Sequence, residues 1–259
     1  MPSISEHIQA WREQKISGTL LMRIIVSHEE WSMPVSETAA MEMLATNAAP
    51  SFQYSRDANG VNRLLLWSSS ETFSNWAKRA QIPGEQHVIT TKGSWVFGLP
   101  LDGIDEIWID PLNANDIIYK KEQFERLHDF AAAVAVEKDI ADIRAGTPTH
   151  GAHVRVREYK KYLVAMGQLG DVKRLVNAPD DQGRTLVAVF TTDDTFEAFT
   201  PVARRAAPAG EELTCVQTNG KGLFTAIAGM NVVGLVFNCS GPIKPVAFIA
   251  AFAKTILEA

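Results

Sequence analysis

The sequence predicts an α+β fold in which two similar domains follow each other, each a small mixed sheet with a hairpin, flanked by helices. Three observations predict it. The chain of 259 residues is long enough for two small domains. One strand-and-helix pattern occurs twice, and a short segment with glycine and proline lies between the two occurrences. The composition, 46% hydrophobic and 21% charged residues, is that of an ordinary folded protein and excludes collagen-like and unfolded chains.

The repeated pattern is an apolar strand that leads into a helix. Residues 64–67 and 187–190 are apolar runs of strand length. Each run is followed by a hydroxyl residue with an acidic residue three positions later, a spacing that predicts a capping box at the start of a helix. Aromatic residues three positions apart then predict the helix face that packs on the sheet. The capping pairs are Ser68 with Glu71 and Thr191 with Asp194.

The similarity extends on both sides of this pattern. Before it, each copy has an amphipathic segment that predicts a helix, and then a hairpin with a polar, glycine-bearing turn. After it, each copy has an apolar strand that ends at Asp110 or Asn238, followed by a closing helix. The predicted helices are 37–46 and 158–169, the hairpin strands are 52–55 with 63–67 and 173–177 with 185–190, and the closing helices are 120–140 and 246–258.

Residues 145–153 contain two glycines, one proline and little that is apolar, which predicts a linker. The first domain is then 1–144, with its core at about 36–138, and the second is 154–259. Residues 1–35 have no counterpart in the second copy on this alignment. They contain a short helical stretch at 6–14 and a strand-like run at 19–26.

Charge and hydropathy limit the partners that we expect. The net charge of −5 argues against a nucleic-acid partner, and the four basic residues within 155–161 are interpreted as the solvated start of a helix. No apolar run approaches the roughly 18 residues that a membrane helix needs, so we expect no membrane partner. The first residues lack the pattern of a secretion signal, and a cytoplasmic location is expected. Cys215 and Cys239 lack a metal-binding spacing and are predicted to be buried thiols.

Signatures of catalysis are missing from the sequence. It contains no nucleophile elbow, no dinucleotide-binding fingerprint and no phosphate-binding loop. Asn219-Gly220 is interpreted as a turn. His150 and His153 are interpreted as part of the linker, because no carboxylate or thiolate partner lies nearby in the sequence. We therefore favour a protein that is not an enzyme and that has no cofactor and no metal.

The features just described resemble the SseB-like family of small bacterial domains, named for enhanced serine sensitivity. The strand, turn and helix start at 67–73 and 190–196 carry the resemblance, together with the closing strands and turns at 107–111 and 234–238. The family pattern has Asn-Pro at that turn, whereas here Asn238 is followed by Cys239 and Asp110 by Pro111. The resemblance covers residues of about 36–138 and 155–259. It implies a tandem of two divergent α+β domains without an established enzymatic activity.

Tryptophan is confined to the first half of the chain. Trp67, Trp76 and Trp108 align with apolar residues of the second copy and are predicted to lie in the core. Trp31 and Trp95 have no such equivalents and are candidates for an exposed binding surface. The apolar last helix is expected to pack either against the other domain or against a second chain in a homodimer.

The sequence thus favours a non-enzymatic module that binds a protein partner or a small ligand. One alternative is a hydrolase or transferase with its site in a cleft between the domains, with Asp110, Lys92 and His87 from the first domain and Asn238 and Lys221 from the second. Another is a secretion-associated or toxin-neutralising partner protein, which needs an exposed acidic or aromatic patch in the first domain. The candidate binding residues are Trp31, Trp95, Lys92, Asp110, Lys221 and Asn238.

Overall fold

The computed structural model describes residues 2–35, 54–81, 87–179 and 182–259. It confirms the predicted α+β class, with helices interspersed among the strands of three sheets. The chain divides into two compact units, Met1–Val134 and Ala135–Ala259, which we call unit 1 and unit 2. None of the helices in the described ranges is both long and apolar enough to span a membrane.

Unit 1 starts with two helices and then combines short strands with helices. Its elements are α1 Ile4–Arg12, α2 Gly18–Ser27, β1 Trp31–Pro34, β2 Tyr54–Arg56, β3 Asn62–Leu66, α3 Ser70–Arg79, β4 Val88–Thr91, α4 Gly93–Val96, β5 Glu106–Ile109, β6 Ile117–Lys120, the 3₁₀ turn Lys121–Gln123 and the first half of α5 Phe124–Ala145.

Unit 2 contains the second half of α5 and the remaining elements of the chain. They are α6 Ala152–Glu158, β7 Tyr162–Leu169, β8 Val172–Leu175, β9 Asn177–Pro179, β10 Thr185–Phe190, α7 Asp193–Ala206, β11 Glu212–Thr218, α8 Gly220–Gly229, β12 Gly234–Phe237, β13 Val246–Ile249 and α9 Ala251–Glu258.

The strands of unit 1 form a four-stranded sheet in the order β2-β3-β5-β6 and a two-stranded sheet of β1 and β4. Strand β3 pairs antiparallel with β2 and parallel with β5, and β5 pairs antiparallel with β6. An isolated bridge between Ser32 and Trp67 joins β1 to the end of β3. The parallel pair β3 and β5 lies at the centre of the four-stranded sheet, and Leu64, Leu66, Ile107 and Ile109 from these strands are fully buried.

The sheet of unit 2 repeats this pattern of pairing. Its order is β11-β7-β10-β12-β13, with β8 on β7 and β9 on β10. Strand β10 pairs antiparallel with β9 and parallel with β12, and β12 pairs antiparallel with β13. Strand β7 pairs antiparallel with both β11 and β10. Each pairing of unit 1 has its counterpart, which supports the predicted repeat: β2, β3, β5 and β6 correspond to β9, β10, β12 and β13, and β1 and β4 to β7 and β11.

The prediction that residues 1–35 have no counterpart is wrong. Helix α2 and strand β1 hold the same positions in unit 1 as α6 and β7 hold in unit 2, because each helix directly precedes the strand that bridges to β3 or pairs with β10. The run 19–26, which we expected to be a strand, is part of α2. The Ser17 hydroxyl caps this helix by accepting from the Leu20 N–H at 3.1 Å, and Leu21 and Ile25 fall on its buried face.

The predicted helix 158–169 is also wrong, since most of it is strand β7. The apolar run 162–166 inside this segment fits a buried helix and a central strand equally well. Strand β7 is central, because β11 pairs with it on one side and β8 and β10 on the other. The corresponding prediction for the first copy, 37–46, lies outside the described residues, as do residues 52 and 53 of the first hairpin.

The helix starts after β3 and β10 are shifted by one residue from the prediction. Helix α3 begins after Ser69, whose hydroxyl accepts from the Thr72 N–H at 3.1 Å while its own N–H donates to Thr72 Oγ1 at 3.0 Å. Helix α7 begins after Thr192, whose side chain makes no capping hydrogen bond. Ser68 and Thr191, the expected caps, therefore have other hydrogen-bond partners.

The last predicted helix, 246–258, is divided into strand β13 and helix α9. Phe252 of α9 stacks on Phe248 of β13 with ring centroids 3.7 Å apart, and Ile256 is fully buried. Helix α9 packs against α6 and α8. Its apolar face is therefore covered inside unit 2, and no second chain is needed to bury it.

Candidate functional site

A cluster of polar side chains lies where β3 and β5 end in unit 1. Asp110 follows β5, is 1% exposed and has a φ of 48°, a backbone conformation that Asp and Asn adopt more readily than most residues. Its Oδ1 accepts from the Ser68 N–H at 2.8 Å and its Oδ2 from the Ser68 hydroxyl at 2.7 Å. The Nε2 of His28 is 2.9 Å from the Ser68 carbonyl oxygen and must donate to it, because a carbonyl oxygen only accepts. We call His28, Ser68 and Asp110 the Ser68 cluster.

Unit 2 has a matching cluster where β10 and β12 end. Asn238 follows β12, is 2% exposed and has a φ of 50°. Its Oδ1 accepts from the Thr191 N–H at 3.1 Å, and its Nδ2 donates to Thr191 Oγ1 at 3.1 Å. The Tyr159 hydroxyl donates to the Thr191 carbonyl oxygen at 2.8 Å. Glu137 of α5 accepts from the Thr191 hydroxyl and, at 3.3 Å, from Asn238 Nδ2. We call these four residues the Thr191 cluster.

The Ser68 cluster contains Ser, His and Asp, but not in the arrangement of a catalytic triad. In a triad the serine hydroxyl is hydrogen-bonded to the histidine ring, which removes its proton. Here the Ser68 hydroxyl donates to Asp110, and His28 contacts a main-chain carbonyl oxygen instead. Unit 2 joins a tyrosine, a threonine and an asparagine at the corresponding positions, although there the Thr191 hydroxyl accepts from Asn238 Nδ2 and donates to Glu137. The shared role of the two clusters is to tie the end of one strand to the end of its parallel neighbour.

The carboxyl group of Asp110 is buried, and hydrogen bonds offset part of the cost of its burial. Burial raises its pKa above the usual value of 3.8, while the hydrogen bonds from Ser68 and Thr72 and the nearby His28 act in the opposite direction. Raised carboxyl pKa values are typical of catalytic acids as well as of structural sites. Both carboxylate oxygens of Asp110 accept hydrogen bonds from Ser68, so a structural role is sufficient to explain how this side chain is placed.

The candidate Trp31 lies in the core, so the interpretation of this side chain as an exposed binding surface is wrong. It is 0% exposed, its Nε1 donates to the Ile25 carbonyl oxygen at 3.0 Å, and Phe97 packs edge-on against it. The hydrogen bond holds the indole against the last turn of α2. Trp95 is half-buried and packs against the same core, which leaves only part of its ring for a partner.

The charged candidates of unit 1 do not converge on Asp110. Lys92 is exposed, and its ammonium group is 2.5 Å from the Glu29 carboxylate. His87 is exposed, and its carbonyl oxygen accepts from the Val35 N–H at 3.0 Å. No hydrogen bond or ion pair in the described part of unit 1 joins Lys92 or His87 to the Asp110 side chain.

In unit 2, Lys221 is exposed in the first turn of α8. The interpretation of Asn219-Gly220 as a turn is wrong, because Asn219 caps this helix. Its Oδ1 accepts from the Gly222 N–H at 2.7 Å. Asn residues suit helix caps and turns for the same reason, a side-chain oxygen that binds a nearby main-chain N–H.

A pocket opens beside Asn238. Its volume is about 130 Å³, and apolar side chains form most of its wall. An apolar cavity of similar size, about 150 Å³, binds benzene in another protein. Lys244 is exposed at the pocket and forms no hydrogen bond or ion pair within the described ranges. The lining includes Glu137, Ile140, Phe237, Asn238, Ile243 and Lys244.

The two cysteines are poor candidates for chemistry. Burial raises the pKa of Cys239 to about 12, and burial together with Asp193 raises that of Cys215 above its usual value. Both thiols are therefore protonated at neutral pH, whereas the thiolate is the reactive form. Over the ranges that the structure describes, no group of three His, Cys, Asp or Glu side chains is placed to hold a metal ion.

Sequence reasoning missed Glu137 and the equivalence of His28 with Tyr159. The equivalence of His28 and Tyr159 could have been found from the sequence, because each has an aromatic residue three positions after it. These residues are Trp31 and Tyr162. Glu137 gave no such signal, since it lies 101 residues before Asn238 and only the fold brings the two together.

Comparison with known proteins adds little to this geometry. No protein-family model matches the chain, and no curated protein matches it. Among solved structures, Anabaena Tic22, described as a protein-transport protein, matches over 83% of this chain and 88% of its own, with a TM-score of 0.22 and 7% sequence identity. A likeness at this level supports no statement about fold or function. The resemblance to the SseB-like family stays a prediction.

Proposed function

We propose that the chain is a non-enzymatic binding module made of two SseB-like domains, and that the pocket beside Asn238 is its ligand site. The observation that carries the proposal is the pocket. It combines an apolar wall with the exposed ammonium group of Lys244, which has no ion-pair partner in the part of the chain that the structure describes. Small-molecule sites typically have this composition, mostly apolar with a few polar groups that orient the ligand.

The hydrogen bonding of the two clusters supports a role without catalysis. A hydrolase or transferase needs a nucleophile or base with a reactive atom turned towards the substrate. The hydroxyl groups of Ser68 and Thr191 instead donate to side chains that fix strand ends. The hydrolase or transferase alternative therefore has no described group that favours it.

The charges at the pocket indicate the class of ligand. The Oε1 of Glu137 accepts hydrogen bonds from Thr191 and Asn238, so this oxygen is already used within the fold. The Lys244 ammonium is exposed and has no ion-pair partner in the described ranges, so we propose it as the group that meets a charged ligand. We propose that the ligand is a small molecule that joins an apolar group of about the size of benzene to a carboxylate.

Benzoate is the simplest probe of this proposal. We expect benzoate to shift the amide NMR signals of residues around the pocket, with a dissociation constant of about 1 mM, since nine heavy atoms support only weak binding. Benzylamine, which has a similar shape and the opposite charge, should bind more weakly. Lys244→Gln should weaken benzoate binding about fivefold, as expected for an exposed charge pair.

A variant pair on α5 tests the location of the site. Ala141 lines the pocket and is exposed, so Ala141→Phe places a ring in the opening without disturbing the core. Ala135 is exposed on the same helix and does not line the pocket, so Ala135→Phe is the matched control. We expect Ala141→Phe to abolish the benzoate shifts and Ala135→Phe to retain them. Equal binding by the two variants, or no shifts in the unmodified protein, would contradict the proposal.

The secretion-associated or toxin-neutralising alternative needs an exposed acidic or aromatic patch in the first domain. Trp31, one of the two tryptophans that were predicted to be exposed, is buried. No observation on the described residues favours this alternative over a ligand-binding module.

A further inference from the structure

Among the described strands, β11 forms one edge of the unit 2 sheet. It pairs with β7 along all seven of its residues on one side. On its other side, no strand from the described ranges pairs with it. A free edge exposes a row of main-chain N–H and C=O groups, which a second strand can bind.

Strand β11 also lacks the features that protect edge strands from such pairing. Natural edges are protected by short length, lysine, proline or a bulge. The β11 sequence Glu-Leu-Thr-Cys-Val-Gln-Thr has no lysine and no proline, and its register with β7 continues without a bulge. Its one charged residue, Glu212, is at the first position, and Val216 near its middle is 53% exposed.

We propose that β11 is a homodimer interface, in which it pairs antiparallel with β11 of a second copy of this chain. In this pairing Cys215, the middle residue of the strand, lies opposite the partner subunit's Cys215, and the two-fold axis passes midway between them. In this register Thr214 lies opposite the partner subunit's Val216, a pair of β-branched residues that favours sheet pairing. Glu212 lies opposite the partner's Thr218, so the two carboxylates lie at opposite ends of the interface and do not repel each other.

The charges of α7 favour a second copy as the occupant. Helix α7 packs on β11. It has Asp193 and Asp194 in its first turn and Arg204 and Arg205 in its last turn. Both arginines are exposed and form no ion pair within the described residues. A two-fold axis perpendicular to the sheet makes the two α7 helices antiparallel on one face, so the acidic end of each points towards the basic end of the other.

Sedimentation of the full chain tests this interface. We expect a species of twice the 28.5 kDa chain mass, with a dissociation constant of about 10 µM, because a strand pair and its flanking helices form an interface at the small end of the specific range. Val216→Lys puts a lysine from each copy beside the axis and should weaken the dimer at least about tenfold. Because Val216 is exposed, circular dichroism of this variant should match that of the unmodified protein.

Val233→Lys is the matched control. Val233 is 54% exposed, similar to Val216, and lies outside the β strands, so its replacement should leave the dimer unchanged. A monomer at concentrations up to about 200 µM would overturn the proposal, because an interface of this class is then absent. A dimer that Val216→Lys and Val233→Lys affect equally would also overturn it, since the contact would then lie elsewhere.

Discussion

We expect Gly220→Ala to lower the free energy of unfolding of unit 2 by about 3 kcal/mol. Gly220 is the first residue of α8, and its N–H donates to the Tyr159 carbonyl oxygen at 2.7 Å. A Cβ at this position would lie 2.5 Å from the Val156 carbonyl oxygen and would also collide with that of Arg157. These atoms are main-chain atoms at the end of α6, so they cannot move aside as a flexible side chain could.

The control for this substitution lies in the same helix. Gly229 ends α8, and a Cβ there has no heavy atom within 4 Å. Gly229→Ala should leave stability unchanged or raise it by about 0.5 kcal/mol, because alanine favours the helix more than glycine does. Urea unfolding followed by circular dichroism measures both variants. Equal midpoints for the two would show that the contact between the ends of α6 and α8 is looser than the structure indicates.

The same contact exists in unit 1, where it allows an independent test. A Cβ on Gly93 would lie 2.5 Å from the Val26 carbonyl oxygen and 2.6 Å from that of Ile25. All six tryptophans of the chain lie in unit 1, so their fluorescence follows the unfolding of this unit. Gly93→Ala should therefore shift the fluorescence transition to lower urea concentration by an amount that corresponds to about 3 kcal/mol.

The α+β class and the strand at the centre of each copy could be predicted from the sequence because those signals are local. An apolar run of strand length with a polar helix start after it is visible in a single window of residues. The turn residues Asp110 and Asn238 were also found this way. Their partners, Ser68 and Thr191, were assigned to helix capping, because sequence spacing does not show that a hydroxyl group meets a residue 42 or 47 positions away.

The sequence did not reveal the first helix and strand of each repeat, because these elements share their hydrogen bonds and not their residue types. The Trp31 indole donates to the carbonyl oxygen of Ile25, six residues earlier, and the Tyr162 hydroxyl donates to that of Val156, also six residues earlier. Different side chains thus close the same junction in the two units. Strand β7 was missed for another reason, because an unbroken apolar run has neither the period of a helix nor that of a half-buried strand.

Substituting asparagine for Asp110, and aspartate for Asn238, tests how each unit offsets the cost of burying its polar groups. In Asp110→Asn, the amide oxygen can still accept from the Ser68 N–H, and Nδ2 can donate to the Ser68 hydroxyl, as Asn238 does with Thr191. We expect the free energy of unfolding at pH 7 to stay within about 1 kcal/mol of the unmodified protein. Asp110→Ala leaves both Ser68 donors without this acceptor and should cost about 3 kcal/mol.

The pH dependence of Asp110→Asn follows from the raised pKa of Asp110. A carboxyl group whose pKa is higher in the folded than in the unfolded state contributes stability below its unfolded pKa, near 3.8, and this contribution is lost as the pH rises through the folded pKa. The asparagine does not titrate. Asp110→Asn should therefore gain stability relative to the unmodified protein between about pH 3 and pH 7. If urea unfolding showed that Asp110→Asn loses stability relative to the unmodified protein over that interval, hydrogen bonds and not burial would set the pKa of Asp110.

The reverse exchange, Asn238→Asp, should be strongly destabilising. It places a second carboxylate against Glu137, which now accepts from the Asn238 Nδ2 at 3.3 Å, and it removes that donor. Two carboxylates in one buried site cannot both ionise without a large cost, so we expect a loss of about 3 kcal/mol at pH 7. One of the two should have a raised pKa in the folded state, so the loss should shrink as the pH falls towards 4. Asn238→Asp with Glu137→Gln removes the like-charge pair, and it should recover most of the stability if repulsion, and not the lost donor, causes the effect.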